Sequence, residues 1–261
     1  SGIALYQVTR GQTGGKGRPA PHRGILKIVK QNTLIQHMAL LMLTLAAAVA
    51  LLDYLFKATL QVTLSKADLV TFFAYFYIAI DIGSLLLQTL VGSKALRWFG
   101  LGGTMIVLPL GIIFGGLITF VFRSLMTITL LRGAANLLTN SFFGPGYELF
   151  FTPISPTDKR ASKILIDVGA NRTGNMLGGL MIMGLLLLNG PTSSYILFTV
   201  MLLAGVMSLL IFLLNRGYIS QLANNLRSGT LKSDEIEIKD KTTQGTVAMT
   251  QMSLERDRLL Q

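Results

Sequence analysis

The sequence predicts an all-α fold, a polytopic membrane bundle of six transmembrane helices, and three observations carry that expectation. Six long apolar stretches, at about residues 35–56, 69–91, 99–122, 124–147, 163–188 and 193–214, are joined by short polar connections. Each reaches the ~20 mostly apolar residues that a helix needs to cross a bilayer. Basic residues gather on alternate connections, and the polar residues inside the stretches recur at helical spacing. Composition agrees: 51% of the 261 residues are hydrophobic, with 14 Phe and 27 Gly, a mixture suited to closely packed helices in lipid. A soluble globular domain does not fit such runs.

The charge pattern orients the helices. Arg10, Lys16, Arg18, Arg23, Lys27 and Lys30 precede the first helix, Lys94 and Arg97 lie on the second connection, and Lys159, Arg160 and Lys163 on the fourth. Arg216, Arg227, Lys232, Lys239, Lys241, Arg256 and Arg258 follow the last helix, whereas the opposite connections hold only Lys57, Lys66 and Arg123. The positive-inside bias therefore predicts cytoplasmic termini. It also accounts for the net charge of +11 without a nucleic-acid partner. Cysteine is absent, and His22 and His37 are the only imidazoles, so no metal site or cofactor is expected. The domain organisation expected is a basic linker or lead-in over 1–34, a six-helix membrane domain over 35–216 and a polar cytoplasmic tail over 217–261, in which 217–231 can form a short amphipathic helix. Residues 1–34 lack a signal-peptide arrangement and read as the continuation of an upstream region.

Taken in order, the helices carry polar residues in stripes. On the first, Asp53 and Lys57 are four residues apart, the spacing of an intrahelical ion pair, with Gln61 one turn on. On the second, Tyr77, Asp81, Ser84 and Gln88 share a face, and Asp81 near mid-membrane must find a partner across the bundle or stay protonated. The third has Gly111, Gly115 and Gly116 for close helix approach. The fourth carries Arg132, Asn136 and Asn140 in steps of four, continuing through Gly144 to Glu148, one slanted polar face. Arg132 is either an anion ligand, since its fork of donors suits phosphate or carboxylate, or the partner of Asp81 or Asp53. Gly144, Pro145, Pro153 and Pro156 are expected to break the chain before the fifth helix, with Asp158, Lys159 and Arg160 in a solvated loop. The fifth adds Lys163, Asp167, Asn171 and Asn175 in steps of four with Arg172 on the flank, and Gly174, Gly178 and Gly179 as packing positions.

The stretch from Glu148 through Thr-Pro-Ile-Ser-Pro-Thr-Asp158-Lys-Arg to Lys163 and Asp167, followed by Asn171, Gly174 and the Gly178-Gly179 pair, resembles the nucleotide transporter (ATP:ADP antiporter) family, whose fold belongs with the major facilitator class. Leu52-Asp-Tyr-Leu-Phe-Lys57 resembles the acidic, aromatic, lysine pattern that opens that family's second half. The resemblance spans roughly residues 30–225. Asp53, Lys57, Glu148, Lys163, Asp167 and Asn171 fall on its motif positions, whereas Asp81, Arg132, Asn136 and Arg172 are candidates from cavity and charge reasoning alone. The form of the first motif and the Arg172-Thr-Gly-Asn175 turn look like a divergent bacterial branch, which implies an integral protein of a bacterial inner membrane.

What the resemblance implies is the carboxyl-terminal half of a twelve-helix transporter, lacking here its amino-terminal six-helix half. Asp53, Lys57, Asp81, Arg132, Asn136, Asn171 and Arg172 would contact an anionic solute, nucleotide-like or otherwise phosphorylated. Glu148, Lys163 and Asp167 would form a cytoplasmic gate. The alternative is a non-transporting anchor or sensor bundle for attached cytoplasmic domains. An enzyme is not expected, because the chain has neither a glycine-rich phosphate loop followed by Lys and Ser or Thr, nor a nucleophile elbow.

Overall fold

The computed structural model of the chain describes residues 32–152, 154, 156–189 and 193–227. Among these the fold is all helical. Six rods run up and down: α1 (Thr33–Thr63); α2 (Lys66–Leu87, extended by a π-helical turn, Gln88–Gly92); α3 (Ser93–Phe122); α4 (Leu125–Leu138, a π turn Thr139–Phe143, then Gly144–Leu149); α5 (Pro156–Ile164, a π turn Leu165–Ala170, then Asn171–Asn189); and α6 (Ser193–Arg227). The helices Thr33–Thr63, Lys66–Gly92, Lys94–Phe122 and Ser194–Ser220 are long and apolar enough to cross a membrane. The chain is therefore an integral membrane protein in contact with the lipid bilayer. The expected linker over 1–31 and the tail beyond 227 lie outside the described residues.

Short polar sequences set the helix ends. The Asn32 side chain accepts a hydrogen bond from the Leu34 amide at 3.0 Å, and Ser65 caps α2 by accepting from Asp68. Ser124 and Thr127 form a reciprocal capping box at the start of α4, so orphan amides at each start are satisfied. Gly100 adopts φ 70° inside α3 and kinks it, a left-handed conformation that glycine adopts without a Cβ penalty.

α1 is the centre of the bundle, not one equal stave of six. Leu34, Ile35, Met38, Leu41, Leu51, Leu52, Leu55 and Phe56 are all buried along it, whereas α2 buries only Ile80 and Ser84. α5 lies parallel to α1, and the packing requires glycine. A Cβ on Gly174 would collide with the Leu43 carbonyl, and one on Gly178 would sit 2.8 Å from the Ala50 methyl. α6 runs antiparallel to α3, with Gly102 facing Asn215 and Gly116 facing Met201. At the far end, where α1 turns into α2, Phe56 meets Phe76 at 4.9 Å and Phe73 edge-on at 6.0 Å, tying α2 to α1.

Two expected breaks are placed differently. Gly144 and Pro145 do not end α4, because the π turn before them shifts the backbone pairing so that Pro145 falls in the first turn of Gly144–Leu149, where a missing amide hydrogen is tolerated. Asp158, Lys159 and Arg160 are helical within Pro156–Ile164, for the same reason at Pro156. The break itself is confined to the stretch after Leu149, where Phe150, Phe151 and Ile154 turn into the core and are buried. Likewise α6 does not stop near residue 214. Tyr218, buried against Phe150 at 5.3 Å edge-on, carries the same helix on to Arg227, so 217–227 is not a separate amphipathic segment.

Candidate functional site

Along the second half of α1 the polar stripe opens into a recess between α1, α4 and α5. Its volume is about 600 Å³, and Asp53, Tyr54, Lys57, Gln61, Arg132 and Asn175 supply its polar lining. The Asp53 carboxylate joins two cations. Its Oδ2 lies 2.6 Å from Lys57 Nζ one turn along the same helix, and its Oδ1 accepts from Arg132 Nη2 at 3.1 Å across to α4. The local balance is one positive charge in excess.

Exposure grades the three groups. The Lys57 side chain is 49% exposed, Asp53 26% and Arg132 8%. Arg132 Nε and Nη1 are buried without a hydrogen-bond partner among the described residues. Buried guanidinium donors left unpaired are costly, and these two are closed to solvent, so a group in the recess reaches them only if the side chain shifts. On α5, Asn175 Nδ2 donates to Asn171 Oδ1 at 3.1 Å, which places Asn175 on the recess and Asn171 one turn behind it.

Other candidates are not gathered there. Asp81 projects from the exposed side of α2 and makes no ion pair with Arg132, which takes Asp53 instead. The reason is positional: α2 leans on α4 through the Gly83 and Gly133 side, where Ile80 is buried, and this turns Asp81 outward. Asn136, half-buried on α4, is not part of the lining, and Arg172 is exposed.

A second polar cluster ties the end of α4 to the start of α5. Lys163 Nζ lies 2.6 Å and 2.8 Å from the two Glu148 oxygens. Asp167 accepts from Tyr147 Oη at 3.2 Å. The expected trio thus divides into two parallel bonds. Tyr147 and Tyr54 are the residues that sequence reasoning left out. Each stands directly beside a charged candidate in an apolar run, and the hydroxyl of a tyrosine held in such a run needs a polar neighbour.

Compared with protein families, with curated proteins and with solved structures, the chain matches none of them.

Proposed function

We propose that this bundle is the carboxyl-terminal half of a secondary transporter that moves an anionic solute, nucleotide-like or otherwise phosphorylated, by alternating access. The observation that carries the reading is the recess of net positive charge at the Asp53 bridge, where Lys57 is open to solvent and Arg132 borders the lining. Guanidinium and ammonium groups in a sheltered recess favour anions. On this reading α4 and α5 also cross the membrane. They are more polar than the other four rods because they line the path, where polar groups are tolerated within a bilayer. An amino-terminal six-helix half closes the path from the other side, and the Glu148–Lys163 and Tyr147–Asp167 bonds act as the cytoplasmic gate.

The internal pairing of Lys57 with Asp53, Asp53 with Arg132, and Lys163 with Glu148 favours a second reading, an anchor bundle whose charges serve only one another. Thermal melts of the full-length protein with a nucleoside triphosphate, inorganic pyrophosphate and an uncharged nucleoside separate the two. An anion at 100 times its Kd stabilises by about 2.7 kcal/mol, and Arg132→Gln weakens the anions more than the nucleoside. Equal loss for all ligands assigns Arg132 to holding the bundle. No stabilisation by any anion leaves the anchor reading.

A further inference from the structure

Beside the polar recess lies a second, apolar one of about 290 Å³, at the far end of α1 between α5 and α6, lined by Leu55, Val62, Leu186 and Ile196 together with Thr59 and Thr63. The threonines do not make it polar. The Thr59 hydroxyl donates to the Leu55 carbonyl and that of Thr63 to the Thr59 carbonyl, both at 2.8 Å, so their donors are satisfied within the helix. Tyr54 and Ala58 line both recesses. The two volumes therefore adjoin along Tyr54 and Ala58, with charge on one side and hydrocarbon on the other.

Helix α5 gives the pair a direction. Asn175 lines the polar recess and Leu186 the apolar one. Eleven residues separate them, about three helical turns, which returns to the same face some 16 Å further along. Both recesses thus border one face of α5, the polar one towards α4 and the apolar one towards α6. Along that face an excess positive charge is followed by an apolar volume, and the Arg132 side chain, only 8% exposed, borders the charged end.

We propose that the site takes an amphiphilic anion, a phosphate or carboxylate head bound by Lys57 and Arg132 with a hydrocarbon tail laid past Tyr54 into the Leu186 and Ile196 recess. This rests on the anion reading above and narrows it to a substrate class. A purely hydrophilic anion leaves the apolar recess empty, and an uncharged hydrocarbon leaves the excess charge unmatched, whereas the amphiphile fills both. A free alkyl phosphate and a membrane lipid with an anionic head share this chemistry.

The test uses the full-length protein in lipid nanodiscs of phosphatidylcholine, with inorganic phosphate, hexyl phosphate and hexanol as probes. Hexyl phosphate is expected to bind at least tenfold more tightly than phosphate. Leu186→Trp, or Val62→Trp at the exposed rim if the first variant does not fold, should abolish that advantage while leaving phosphate affinity unchanged. Phosphate binding with no gain for hexyl phosphate overturns the amphiphile and leaves the anion reading standing, while binding of neither overturns both. An advantage that survives both tryptophans shows partition into the disc lipid and also overturns the proposal. Doping the discs with phosphatidic acid distinguishes the sources: competition with hexyl phosphate identifies a bilayer lipid as the occupant, and unchanged affinity identifies a soluble amphiphile.

Discussion

Arg132 Nη2 donates to Asp53 Oδ1 at 3.1 Å, joining α4 to the central helix α1 across 79 positions of the chain. Because Lys57 takes the other oxygen of the same carboxylate at 2.6 Å, one anion holds two cations in place, and the three substitutions are not equivalent.

Asp53→Asn leaves Arg132 buried without its counter-charge and should destabilise the bundle by about 3 kcal/mol, the scale for breaking one side of a buried pair. Lys57→Met removes a half-exposed partner and should cost less than about 1 kcal/mol. Adding Arg132→Gln to Asp53→Asn should recover much of the loss. Melting temperatures of the four proteins in one detergent check this, and equal losses for Asp53→Asn and Lys57→Met would contradict it.

Gly174→Ala places a methyl against the Leu43 carbonyl of α1 and should destabilise by roughly 1–3 kcal/mol, as overpacking does. Gly179→Ala meets nothing within 4 Å and should be neutral, or more stable by up to ~1 kcal/mol through helix propensity. Measuring both in the same assay separates close packing from a general intolerance of α5 to substitution.

Lys163→Glu should increase the reactivity of a cysteine placed at Ser162, which is fully buried beside the pair, by opening the contact between α4 and α5. Exchange of the pair, Glu148→Lys with Lys163→Glu, should restore protection, since the two groups meet at 2.6 Å. Reversal at Asp167 should not restore it, because its bond is to Tyr147. The coupling expected for an exposed pair is about 0.2–1 kcal/mol, and a double-mutant cycle with no coupling removes the gate.

Cysteines at Lys66 and Ser193 should react with a membrane-impermeant reagent added outside sealed vesicles, and one at Lys159 should not. The opposite pattern would reverse the orientation drawn from the connecting charges.

The helices were legible in the sequence because hydrophobic length and turn-forming residues are local properties. The apolar runs foretold α1, α2, α3 and α6 to within a few residues at most ends, and the Asp53–Lys57 pair followed from a spacing of four on one helix. Local spacing does not carry rank within a bundle. Only packing made α1 the buried centre and left α2 at the margin with Asp81 facing outward, because glycine and alanine contacts decide which helices can approach. Tertiary structure likewise chose Asp53 over Asp81 as the partner of Arg132 and gave Asp167 to Tyr147. It also let α4 run past Pro145 through a π turn. In each case the sequence supplied the polar group. The partner was fixed by the angle and depth at which two helices meet, which depends on contacts between residues far apart in the chain.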